Sequence, residues 1–137
     1  AQTALSKDEL TVWLEAQNVS PAIQSAVARQ INRVLGSEVG QWVLSPHAQH
    51  ESESAYQLAV DGQVQTIVID RMFVCEGMRW IIDYKSSQNV SSAPEILHDR
   101  YRPQLAKYAH AMQLIYPERI CTALLFTDLA RLDTIEL

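Results

Sequence analysis

Cysteine is almost missing from this chain: Cys75 and Cys121 are the only two in 137 residues. Two thiols cannot build a disulfide framework or a four-cysteine metal site. Four glycines and five prolines exclude a low-complexity chain. No apolar run reaches the roughly 18 residues of a membrane span, and no signal-peptide pattern opens the sequence. The expectation is a cytoplasmic, reduced protein without membrane partners. Positive charge is short as well, with eleven Lys and Arg against sixteen Asp and Glu, a net charge of −5. Domains that hold nucleic acid by bulk charge are usually basic, so this one does not work that way. An enzyme that takes its basic groove from a larger assembly stays compatible with that balance. No Walker A pattern is present, which leaves an ATP-driven motor outside the chain. What is present is a hydrophobic content of 47%, enough for a core, in the length of one domain, residues 1–137.

The first third reads as helical. Ser6-Lys-Asp-Glu9 has the form of a capping box ahead of Leu10, Val12 and Leu14. Ser20-Pro21 is an N-cap followed by proline at the first helical position. Ile23, Ala26, Val27, Ile31 and Leu35 recur at helical spacing, and Gly36 fits the stop. A short turn over Ser37–Leu44 and a polar loop over 45–52 are expected to follow. The period then changes. Residues 53–60 are weakly strand-like, and Asp61-Gly62 is a two-residue hairpin signal. Val64–Cys75 is a long β-prone run, Glu76-Gly77 a second tight turn, and Met78–Tyr84 another run. Both runs are apolar on successive residues, which predicts a sheet covered on both faces. Residues 86–95 read as a polar loop and Ile96–Tyr116 as a helix, with Pro103 in its first turn or breaking it. Ile120–Phe126 reads as a last strand, and the tail 127–137 is ambiguous.

The two turns align charges. If each has a two-residue loop, equal steps back from Glu76-Gly77 place Asp70 opposite Asp83. The same count from Asp61-Gly62 places Glu53 opposite Asp70. Directly opposed residues share a face, with Cβ atoms about 4.5–5.5 Å apart. Glu53, Asp70 and Asp83 are thus expected in a row across three strands, with Lys85 on the same face, about 7 Å beyond Asp83. Like charges so placed repel, and a cluster of this kind needs raised pKa values or a cation. Mg²⁺ is the natural partner, being a hard ion that takes few carboxylates plus water. Lys85 has two readings: a structural ion pair, or a group that holds a phosphate or an attacking water. The plain alternative is that Asp70 pairs with Arg71 and Asp83 with Lys85.

Ile69-Asp70-Arg71, Trp80-Ile-Ile-Asp83-Tyr84-Lys85-Ser-Ser and Tyr101-Arg-Pro-Gln104-Leu-Ala-Lys-Tyr108 together resemble the PD-(D/E)XK nuclease domain. The resemblance is to the RecB-like nuclease domain of UvrD/RecB/AddA-type helicase–nucleases, over roughly residues 42–126. It implies an α/β, restriction-endonuclease-like fold: a mixed sheet with an antiparallel meander flanked by helices. It implies Asp70 and Asp83 as metal ligands, the Tyr84 carbonyl completing the site, and Lys85 positioning or activating the water. Glu53, or Glu51 nearby, matches a further acidic position. Gln104 and Tyr108, one helical turn apart, would face the site, and Arg102 and Lys107 would meet DNA phosphates. The implied activity is a Mg²⁺-dependent DNA exonuclease, with Mn²⁺ as a substitute, in double-strand break repair and recombination. Its partners would be DNA, helicase domains of the same polypeptide and a partner subunit, with ATP used only in the helicase part.

One departure stands out. Such domains carry a histidine on an opening helix, whereas the histidines here are at 47, 50, 98 and 110. A fragment lacking that helix and the helicase motor is the expectation. Two cysteines also exclude the iron–sulfur cluster of the AddB and Cas4-like relatives. Alternatives are a catalytically inactive module of the same fold for DNA or protein contact, and a dimeric restriction or junction-type nuclease. Of the other residues, Arg100, Arg102, Lys107 and Arg119 are either phosphate contacts or a solvated face. His47 and His50 read as loop histidines, His98 as part of a helix start and His110 as helix surface. Cys75 and Cys121 read as small apolar packing, and Trp13, Trp42 and Trp80 as core.

Overall fold

The structure is a computed structural model that describes residue 29, residues 32–85 and residues 94–137. The capping box at Ser6–Glu9, the Ser20-Pro21 start and Trp13 lie outside the described residues. Residues 32–36 are helical and end at Gly36, the expected stop. Residues 37–44 are not a turn. They form helix α1 (Glu38–Leu44), whose N-cap Ser37 accepts a hydrogen bond from the Gly40 amide at 3.0 Å. That bond satisfies one of the free N–H groups that open any helix. Gly40 is required there, because a Cβ would sit 1.8 Å from the Val34 carbonyl oxygen.

Five strands and a long helix follow: β1 (Ala48–Val60), β2 (Gln63–Cys75), β3 (Met78–Lys85), α2 (Pro94–Ile115), β4 (Arg119–Phe126) and β5 (Arg131–Ile135). They make one sheet in the order β1-β2-β3-β4-β5. β1–β2 and β2–β3 are antiparallel. The turn pairs Val60↔Gln63 and Cys75↔Met78 are the expected ones. Both turns have positive φ at both central residues, 52° and 79° at Asp61-Gly62 and 52° and 77° at Glu76-Gly77. That is the type I′ geometry, whose twist suits the flanking strands. β3 and β4 are neighbours joined through α2, the connection of a parallel pair, so the sheet is mixed. The architecture is α/β with an antiparallel meander.

Four boundaries differ from the sequence reading. β1 begins at Ala48, so residues 48–52 are strand rather than loop. Helix α2 begins at Pro94, where a missing N–H costs nothing. Pro103 lies inside that helix without ending it and is exposed. The tail supplies a fifth strand. Burial also splits β2: residues 69–73 are all buried, as the two-sided reading requires, but Val64, Thr66 and Val68 are exposed on one face.

The contacts divide the chain into two compact units. The described part of the first is residues 32–46, 84–85 and 125–132; that of the second is residues 47–83, 94–124 and 133–137. In the first, Val34, Val43, Leu44 and Phe126 are buried. In the second, Ile67, Ile69, Met72 and Ile81 pack on Ala109, Ala111 and Met112 of α2. Among the described residues no helix is long and apolar enough to cross a membrane.

Candidate active site

Asp70 and Asp83 are placed by the second hairpin. Its ladder runs from Cys75↔Met78 to Arg71↔Ile82, and the next residue on each strand is an aspartate. Both are buried, at 9% and 5% exposure. The alternation of the strands bears on which face each occupies. Ile67 and Ile69 face the helix, yet so does Met72, an odd number of steps further on. Alternation therefore slips between Ile69 and Met72, although the β1–β2 register is the same on both sides. The slip is matched on β1 by Glu53, whose φ is 50°. Local irregularities of this kind re-aim side chains within a sheet. Asp83 is two residues past Ile81, on the helix side by simple alternation.

Glu53 does not complete the expected row. The count from the turn puts it level with Asp70, but its left-handed backbone leaves the side chain exposed. Among the described residues no group of three or more His, Cys, Asp or Glu side chains is assembled for a metal. Glu51, the other acidic candidate, is opposite Met72 and is held by the Tyr56 hydroxyl, which reaches its two carboxylate oxygens at 2.8 and 2.9 Å. Tyr84 and Lys85 belong to the first unit, where Tyr84 is buried and Lys85 half-buried. The Lys85 carbonyl accepts from the Thr127 amide at 2.9 Å.

On α2, Gln104 Nε2 donates to the Tyr108 hydroxyl at 2.9 Å, so the two act as one unit. Tyr108 packs against the cluster that contains Ile69, Met72 and Ile81, the neighbours of the two aspartates. Lys107 is exposed and lies with His110 beside Leu58, Gln65 and Ile67, on the flank of the helix rather than with Gln104 and Tyr108. Arg102 is engaged: Nη1 pairs with Asp99, and Nε donates to the Glu136 carbonyl at 3.0 Å. Arg100 lies 6.0 Å from the Tyr101 ring centre, and Arg119 is at the start of β4.

Several polar groupings were not among the expected site residues. Arg79 is fully buried, with Nε 2.9 Å from Glu118, Nη2 2.6 Å from Gln49 Oε1, and its guanidinium 3.5 Å from the Tyr116 ring centre. A charged residue within a buried strand run was the available clue, because such a charge is kept only with partners. His98, expected only as helix start, contacts Asp133 at 2.9 Å. His47 is a loop residue as expected, just before β1, and its ring stacks on Phe73 at 4.1 Å. Arg71 donates to Ser52 Oγ at 2.9 Å and lies 3.4 Å from His50 Nδ1, which must then be an acceptor. His110 is exposed as expected. Cys75 and Cys121 are free and half-buried, and Cys121 Sγ lies 3.5 Å from Met78 Sδ.

Mg²⁺ is held through one or two carboxylates plus waters, and Asp70 and Asp83 offer two buried carboxylates on adjacent strands. No protein-family model matches this chain, and no curated protein matches it.

Proposed function

We propose that the chain is a metal-dependent DNA exonuclease domain of a RecB-like helicase–nuclease, hydrolysing phosphodiester bonds in double-strand break repair and recombination. The observation that carries the reading is the pair of buried aspartates, each the residue that follows the Arg71↔Ile82 pair on β2 and β3. Two carboxylates on adjacent strands are the kind of donor set that a hard divalent cation takes together with waters. Asp70 and Asp83 would hold Mg²⁺ or Mn²⁺, with the Tyr84 carbonyl as a further oxygen. When bound, such an ion lowers the pKa of its water and polarises a phosphate. Lys85, two residues beyond Asp83 along β3, would orient that water and offset the charge developing on the phosphoryl oxygens. Gln104 and Tyr108 would hold the scissile phosphate or its neighbour by hydrogen bonds. Lys107 and Arg102 would meet flanking phosphates, Arg102 by exchanging its contact with Asp99. The ATP-driven motor and the partner subunit belong to the rest of such an assembly.

Calorimetric titration of Mn²⁺ and Mg²⁺ into the chain tests the reading, with Asp70→Asn and Asp83→Asn as controls. Binding in the wild type, lost in both variants while their circular dichroism is unchanged, is the expected result. A wild-type chain that binds neither ion overturns it. The second reading, a catalytically inactive module of the same fold, would then lead. Glu53 favours that reading, because the third carboxylate of the row is exposed to solvent.

A further inference from the structure

We infer that the groove between α2 and the β1–β2 hairpin is a subsite for one unstacked base of a single-stranded nucleic acid, with that nucleotide's phosphate on Lys107. The inference rests on the proposed action on DNA and extends it beyond the metal site. Two regular elements build the groove. His110, Ala111 and Leu114 lie three, four and seven residues after Lys107, so the four make one stripe along α2. Facing the stripe are Leu58 and Gln65, directly opposed on β1 and β2, and Ile67 two residues further along β2. The space between them is about 370 Å³, at the small end of ligand sites and room for a single nucleotide.

The lining selects the occupant. Ile67 and Ala111 are buried, and Leu114, at 67% exposure, leaves apolar surface in water. Such walls suit a flat, weakly polar body. Lys107 and His110 are exposed on the same stripe, and no acidic side chain among the described residues lines the groove. In a chain with a net charge of −5 this is a place that an anion can approach. Gln65 adds a specific demand. Its Oε1 is turned away from solvent, and no hydrogen bond reaches it. An acceptor left in that state is costly, and a ligand N–H repairs it. The terminal amide torsion is soft, so the amide can turn toward a donor in the groove.

Apolar body, N–H and anion occur together in a nucleotide. A fatty acid has the apolar body and the anion but no N–H for Gln65. Each of the four DNA bases carries an N–H, so the subsite tolerates any sequence. The distance to the candidate site also fits. Ile67 is three residues before Asp70 on β2, about 10 Å along the strand. A single strand at about 3.4 Å or more per nucleotide covers that in two or three steps. A base seated here holds the strand beside Asp70 and Asp83 and takes no part at the metal.

Fluorescence anisotropy on the whole chain in EDTA is the test, with a labelled thymidine strand of about eight nucleotides and the same strand made of abasic residues. The thymidine strand should bind at least about fivefold more tightly. Gln65→Leu and Leu114→Ala should each narrow that difference while leaving the affinity for the abasic strand unchanged. Gln65→Leu should also melt no lower than the wild type, because it removes a buried acceptor that has no partner. A variant that merely loosens the fold does not behave in this way. Lys107→Ala should weaken both strands alike. Equal binding of the two strands overturns the inference and leaves the metal-dependent reading standing. So does a difference that either groove variant leaves undiminished. Neither strand bound overturns the inference and the DNA reading together. EDTA keeps metal out of the comparison, so a failed metal titration removes the enzyme reading without touching this result.

Discussion

Tyr56 shows how one hydroxyl ties an acidic side chain into the sheet. Its proton goes to Glu51, and Tyr116 lies 3.3 Å from the same oxygen. Burial, then the hydrogen bonds to Tyr116 and Glu51, push its pKa far above the ordinary tyrosine value. The unfolded chain ionises this tyrosine near pH 10, whereas the folded one keeps the proton. The contribution to stability is therefore full below about pH 10 and falls as pH rises above it, because only the unfolded state releases the proton. Absorbance titration of the phenolate should leave one tyrosine silent until the chain unfolds. Tyr56→Phe should remove that silent group and cost about 1–3 kcal/mol in chemical denaturation, since Glu51 loses its donor. A variant that retains a silent tyrosine places the effect elsewhere.

At the scale of elements, the two tight turns do the most to position the candidate site. Gly77 has φ 77° and nothing within 4 Å of where a Cβ would stand, so its role is conformational alone. Gly77→Ala should destabilise the chain by about 1–2 kcal/mol, the cost of a left-handed conformation for an L-residue. Glu76→Asn should stabilise it modestly, as asparagine accepts positive φ. Thermal melts of both variants decide this, and opposite signs are expected. These turns were legible because Asp-Gly and Glu-Gly sit between β-prone runs, and a two-residue loop fixes register. The pairs Val60↔Gln63 and Cys75↔Met78 followed from that. The outward turn of Glu53 did not, because a left-handed residue inside a strand leaves no mark on hydrophobic periodicity. Local pattern alone reads residues 37–44 as a turn, because the Ser37 cap and the small Gly40 contact only make sense once Val34 is in place. Local pattern starts β1 late because Gln49, His50 and Glu51 are polar, whereas in the fold their partners are Arg79, Arg71 and Tyr56. Tertiary pairing, not local preference, made that segment a strand.

For the whole molecule, the decisive quantity is a net charge of −5. Under the proposed function the chain must approach a polyanion it repels on average, so the grip has to be local. Each phosphate neutralised by Lys or Arg releases counterions, and for single strands the logarithm of affinity falls with the logarithm of salt at roughly 0.7 per contact. With Lys107 and Arg102 as the contacts, the slope for a labelled single-stranded oligonucleotide should be about −1.4, far shallower than a basic nucleic-acid domain shows. Fluorescence anisotropy in a fixed concentration of Ca²⁺, with Mg²⁺ left out, measures it. Lys107→Ala should bring the slope up by about 0.7 and weaken binding equally across sequences, since a phosphate contact carries no base information. Asp83→Asn should lower affinity through the metal while leaving the monovalent-salt slope near that of the wild type. A steep slope, or one indifferent to Lys107, would mean that the phosphates are held elsewhere. A shallow slope set by two side chains would instead support the proposed reading of this chain as the cutting end of an assembly whose remaining parts hold the DNA, a division of labour that a net charge of −5 is compatible with.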